Sequence, residues 1–150
     1  MLRKDLILLN LDCEDSQEVI RTLAEAFVQK GVVKESFVEA VMEREKNYPT
    51  ALPATAYDIA IPHTVSKHVI EPAIAVGILK HPVEFHQMGS PEILLHPQVV
   101  FMLAISNPKD QLTLLRRIMK MLQNKELLLA VRAAKTEEEV YNLLKPAVEA

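Results

Sequence analysis

The chain reads as an α/β protein with one sheet covered by helices, and three observations lead there. Apolar runs of strand length, Leu6 to Leu11, Ile59 to Ile61, Ala73 to Leu79 and Gln98 to Ile105, alternate with stretches whose apolar residues recur at helical spacing. Two helical stretches fall between the first run and the second, and that mixing favours a single sheet clothed by helices. The 150 residues, 49% hydrophobic and 25% charged, have the ordinary mix of a globular protein, with no repeat, low-complexity tract or domain boundary. One domain over residues 1–150 is expected.

Each element has its own signal. The first strand, Leu6 to Leu11, ends at the polar cluster Asp12 to Asp15. Asp15 with Glu18 resembles a capping box, so a helix should begin near Ser16, run through Val19, Ile20, Leu23, Ala24, Phe27 and Val28, and stop at Gly31. A second helix is predicted from Glu35 to Glu45, with Phe37, Val38, Val41 and Met42 on one face. Arg44 lies seven residues after Phe37 and three after Val41, so it continues the apolar stripe. An arginine there either snorkels to solvent or faces an anion beside the core.

Tyr48 to Pro53 reads as loop because it holds two prolines, and Ile59 to Ile61 as a short strand stopped by Pro62. The chain from Thr64 to Pro72 reads as polar and irregular. Ala73 to Leu79 is a strand, Val83 to Phe85 adds a short piece, and Gln87 to Pro97 reads mainly as loop. Gln98 to Ile105 is the most hydrophobic run and should be the central, doubly buried strand. Asn107-Pro108 opens a helix with a predicted buried stripe of Leu112, Leu115, Ile118, Met119 and Leu122. A further helical segment covers Leu127 to Val131. The last helix, Glu137 to Lys145, begins at the Thr136 cap and packs through Val140, Leu143 and Leu144.

The totals narrow the function classes. A net charge of −3 and the lack of any Lys/Arg cluster leave no electrostatic footprint for nucleic acid. A single cysteine, Cys13, excludes an internal disulfide and a multi-cysteine zinc site, and fits a reducing cytoplasm. Leu6 to Leu11 is too short for a signal-peptide core or a spanning helix, so the expected location is cytoplasmic. With 3 glycines there is no Walker or dinucleotide loop, and neither Ser66 nor Ser90 sits in a nucleophile elbow.

What stands out is His63, delivered by Pro62 at a strand end. Of the five histidines, His81, His86 and His96 read as solvated surface, while His68 lies five residues past His63 across a polar loop. No metal-ligand spacing joins them; a metal-dependent hydrolase using His63, His68 and Asp58 is the weakest of the readings considered. A neutral imidazole can attack phosphorus without a base, and the transfer then needs cations and donors around three equatorial oxygens. Arg44, His68, Thr64 and the amides at the Asn107 helix start are candidates for that role.

These residues also carry a resemblance. Glu43-Arg44-Glu45, Pro49-Thr50 and Ile59-Ala60-Ile61-Pro62-His63-Thr64 resemble the enzyme IIA domains of the sugar phosphotransferase system, in the fructose–mannitol superfamily. Leu103 to Pro108, then Gln111-Leu112-x-Leu114-Leu115, together with His68, resemble the galactitol-type branch in particular. The likeness runs from about Leu6 to Leu144. It implies a mixed five-stranded sheet flanked by helices and no metal or organic cofactor. It implies a phosphocarrier in which His63, through Nε2, accepts the phosphoryl group from the carrier protein HPr. The group would pass to a cysteine of enzyme IIB, which serves a membrane enzyme IIC. Arg44 matches the family's arginine near the active histidine.

One position departs from the pattern. Mannitol- and fructose-type members carry a second active-site histidine two residues before the glutamine of the late helix; here that residue is Lys109. Either Lys109 replaces the charge or His68 fills the role from the other loop. A regulatory domain of the same fold, whose phosphorylation is read by a partner protein, is the alternative to a transport subunit.

Overall fold

Two strands with no exposed residue set the architecture: β4 (Ala73–Leu79) and β7 (Val99–Ala104). They pair antiparallel from Ala73↔Ala104 to Ile78↔Val99, and their side chains alternate between two cores. Ala73, Ala75, Leu79, Val100, Met102 and Ala104 face one core; Ile74, Val76, Ile78, Val99, Phe101 and Leu103 face the other. A continuous apolar run is what a strand covered on both faces requires. The computed structural model describes residues 1–149.

The first core is closed by α1 (Ser16–Gln29) and α2 (Ser36–Asn47), which meet through Phe27 and Phe37 at a ring-centroid distance of 5.6 Å. Asp15 caps α1 by accepting from the Glu18 amide, and Gly31 at φ 71° ends it. The Gly31 amide donates to Val28 and the Val32 amide to Phe27, a Schellman closure that needs the left-handed residue. The second core is closed by α3 (Pro108–Met121), α4 (Lys125–Ala133) and α5 (Glu137–Glu149). The result is a three-layer arrangement with the sheet between two helical layers.

The sheet has seven strands, where five were expected. Their order is β1-β4-β7-β3-β2-β5-β6, with β1 Leu2–Leu11, β2 Ala51–Leu52, β3 Ile59–Ala60, β5 Phe85–Gln87 and β6 Ser90–Leu95. The two strands read as loop are β2 and β6. Pro49 and Pro53 flank β2 without occupying it, so its short ladder to β3 survives. Pro91 does lie within β6, but β6 is the outermost strand, where a missing N–H need not cost a ladder bond.

A second correction concerns α3. Its buried residues are Leu114, Ile118 and Met121, followed by Leu122, whereas Leu112 and Met119 are 52% and 47% exposed. Two apolar stripes overlap on this helix, and the one led by Leu114 faces the sheet.

Candidate active site

His63 is placed by backbone pairing. β3 lies parallel to β7 through Ile59↔Val99 and Ala60↔Val100, and the pairing resumes one step on at a His63↔Leu103 bridge. The Leu103 amide donates to the Pro62 carbonyl at 3.0 Å, which spans the gap that the proline leaves. On the other side, the Ile61 amide donates to the Thr50 carbonyl at 3.2 Å. The histidine therefore stands at the carboxyl ends of β3 and β7, held from both neighbours.

Its ring is fixed too. Nδ1 lies 2.7 Å from the Ile61 carbonyl, which can only accept, so Nδ1 carries the proton and Nε2 keeps its lone pair. Burial lowers the His63 pKa below the ordinary histidine value, the Ile61 hydrogen bond works against that shift, and the Arg44 charge adds to it. The neutral imidazole with a free Nε2 is thus the form favoured near pH 7.

His63 opens into a cleft of about 480 Å³. Arg44, Tyr48 and Thr50 line one side, the Met88-Gly89 turn another, and Leu115 and Met119 of α3 a third. Arg44 is half-buried, with its guanidinium carbon 5.3 Å from the centre of the Tyr48 ring. Its Nε is buried with no hydrogen-bond partner among the described residues. A guanidinium on the wall of the same cleft as a neutral imidazole suits an anion.

The other predicted residues are arranged differently. His68 is not among the cleft-lining residues; its Nδ1 lies 2.8 Å from Ser36 Oγ at the start of α2, and its carbonyl accepts from the Lys34 amide. Burial, Lys67 and Lys34 lower its pKa. Thr64 is half-buried next to His63. Lys109 is exposed in the first turn of α3, its amide donating to the capping Asn107 side chain, and it too lies outside the cleft lining. Asp58 accepts from the His96 amide, and no cluster of three potential metal ligands occurs among the described residues, so Asp58, His63 and His68 do not form a metal site. Cys13 is buried, and that burial raises its pKa further from a thiolate.

Glu45 was missed by sequence reading. It is 7% exposed and accepts twice from Thr50, from the amide at 3.0 Å and from the hydroxyl at 2.7 Å. Desolvation raises its pKa to about 7. The available signal was spacing: Glu45 lies seven residues after Val38 and four after Val41, on the apolar stripe of α2.

Comparison with known proteins identifies the family and the fold. Residues 1–147 match the family model described as "Phosphoenolpyruvate-dependent sugar phosphotransferase system, EIIA 2". The chain is 30% identical over 113 residues to the galactitol-specific EIIA component of Escherichia coli strain K12, covering 75% of each. The crystal structure of the Escherichia coli mannitol enzyme IIA superposes with a TM-score of 0.80 at 22% identity, covering 96% of this chain and 99% of that one. The same enzyme IIA in complex with phosphorylated mannitol enzyme IIB superposes at 0.80 and 21% identity, covering 97% and 99%. At these identities the structures speak for the fold.

Proposed function

The chain belongs to the type-2 enzyme IIA family of the phosphoenolpyruvate-dependent sugar phosphotransferase system, and on that premise we propose that His63 Nε2 is its phosphoryl carrier atom. The observation that carries this is the Nδ1–H bond to Ile61, which leaves Nε2 as the nucleophile in a cleft shared with Arg44. The Nε2 lone pair attacks the phosphorus of a phosphohistidine on HPr. A P–N bond forms at His63 as the donor's P–N bond breaks, and the donor imidazole leaves with that electron pair. The His63 ring becomes cationic, and its Nδ1–H bond to Ile61 gains strength as the charge develops. In the second step a cysteine thiolate of enzyme IIB attacks the same phosphorus, and His63 returns to its neutral form.

Arg44 neutralises the equatorial oxygens, with Thr64 as a neighbouring donor; Lys109 contributes charge, and His68 a neutral imidazole, from outside the cleft lining. Tyr48, Met88 and Met119 line the cleft yet remain exposed, giving an apolar edge for a protein partner to cover. The solved complex of a mannitol enzyme IIA with enzyme IIB supports the second partner. The galactitol-type relative supports a galactitol-like substrate for the transport system as a whole. The place of action is the cytoplasm, where HPr resides; no described helix is long and apolar enough to cross a membrane.

The test is incubation with phosphoenolpyruvate, enzyme I and HPr, then intact mass and site mapping. One acid-labile phosphate on His63, passed on to a galactitol-type enzyme IIB, is the expected result. No phosphate, with the donors active on another acceptor, overturns the carrier assignment; phosphate that no enzyme IIB accepts overturns the transport role.

A further inference from the structure

A buried carboxylate is tied to His63 by consecutive hydrogen bonds. Glu45 accepts from the Thr50 amide and hydroxyl; the Thr50 carbonyl accepts from the Ile61 amide; the Ile61 carbonyl accepts from His63 Nδ1. We propose that Glu45 is a positioning residue for phosphoryl transfer, which sets the ring orientation and tautomer of His63 through Thr50 and the Ile61 backbone. The inference rests on the carrier role of His63.

Geometry gives the reason for a carboxylate here. Thr50 immediately precedes the two-residue strand β2, whose own ladder is too short to hold its position firmly, and Thr50 lines the cleft. Two acceptor oxygens fix both its donors at once, which a neutral amide or a protonated carboxyl, with one acceptor oxygen each, does not do in the same way. The rigidity passes through the backbone to the carbonyl that orients the nucleophile.

The pin also senses pH. Glu45 borders a separate cavity of about 390 Å³ lined by Ser16, Gln17, Lys46, His86 and Pro91, which connects the buried carboxyl to the surface. The charged and titratable groups that face it are Arg44 and Lys46 of α2 and His86 of β5, whose Nδ1–H donates to the Pro91 carbonyl. With a pKa near 7, the doubly accepting form is complete only above neutrality.

The test compares the full chain with Glu45→Gln and Glu45→Ala for the rate of His63 phosphorylation by phospho-HPr, from pH 6 to 8. NMR of the imidazole nitrogens reads the His63 tautomer in parallel, and thermal unfolding reports the fold. Glu45→Gln should be about tenfold slower at pH 8 and converge on wild type at pH 6. Glu45→Ala should be slow throughout, with a mixed Nδ1/Nε2 tautomer. Repeating the comparison in a His86→Asn background removes the neighbouring imidazole, and the convergence should persist. Variants that match wild type at every pH, or an unchanged tautomer in Glu45→Ala, overturn the inference. Failure of wild type to be phosphorylated would instead overturn the carrier role, and the tautomer measurement would still decide what Glu45 does.

Discussion

His63 and His68 are the same residue type five positions apart, yet the fold treats them oppositely. His63 follows a strand that keeps pairing past its proline, so the β7 backbone at Leu103 holds it. Its Nδ1 is committed to a carbonyl, and its surroundings lower its proton affinity. His68 sits on a short 3₁₀ turn, Ser66–His68, tied to the start of α2 through Ser36 and Lys34. Its Nδ1 faces a hydroxyl, which can donate or accept, so either tautomer is allowed. What separates the two imidazoles is the rigidity and polarity of the partner on Nδ1.

The largest effect should come from removing one histidine and then the other. His63→Ala is expected to abolish phosphorylation while the fold persists, because the ring lines a cleft and is only half-buried. His68→Ala should retain phosphorylation within about threefold, as the loss of an exposed hydroxyl–imidazole contact costs little. Intact mass after phosphotransfer reads both. Comparable losses in the two variants would break the comparison and return His68 to the site.

Arg44 comes next. Its buried, unmatched Nε and its place on the cleft wall predict that Arg44→Ala slows transfer about a hundredfold, the usual scale for a donor aimed at developing charge. Arg44→Lys should recover part of the rate, since it restores charge but not the planar fork. Rates equal to wild type would mean that the side chain merely covers apolar surface.

Stability against pH separates the two histidines more finely. The folded-state pKa of His63 lies below its unfolded value of about 6.5, so the unfolded chain binds the proton more readily. Wild type therefore loses stability as pH falls below 6.5 through the folded value, and His63→Ala should lose less over that window. His68 shifts in the same direction, but it is largely solvated, so His68→Ala should flatten the curve much less. Glu45 has the opposite sign. Its pKa is raised from 4.5 to about 7, so wild type loses stability as pH rises between those values, by roughly 3 kcal/mol at most. Chemical denaturation of wild type and Glu45→Gln from pH 5 to 8 should show the variant gaining in relative stability as pH increases.

How much of this was readable in sequence depends on whether the cause was local. Ala73 to Leu79 was placed correctly because a doubly buried strand is apolar at every position. Asn107-Pro108 and the Asp15 cap were legible because capping is a matter of neighbouring residues. Ile61-Pro62-His63 showed where the sheet delivers its histidine, whereas the stripe position of Arg44 left its direction open, and only the fold puts it on the cleft wall. What failed was non-local. β6 exists because β5 offers a ladder, although its proline and glycine-bounded sequence reads as loop. The face that α3 presents could not be chosen between two overlapping stripes without knowing where the sheet lies. His68 stays out of the cleft lining, on a segment tied down where Val69 pairs with Val33, a contact no pattern along the loop announces.

The smallest effect should come from Lys109, where the chain departs from mannitol- and fructose-type members. Lys109 is exposed in the first turn of α3 and outside the cleft lining, and its amide is engaged by Asn107. An exposed ammonium acts on a phosphoryl group through water, where a unit charge is strongly screened. Lys109→Ala should therefore slow phosphorylation less than threefold at physiological salt, with the difference growing as ionic strength falls. Lys109→His is the sharper variant. If an imidazole there accelerates transfer while Lys109→Ala leaves it unchanged, the position is within reach and the lysine underuses it. If neither variant alters the rate, Arg44 and the fixed His63 ring suffice, and the polar groups on the two flanking loops are dispensable for transfer.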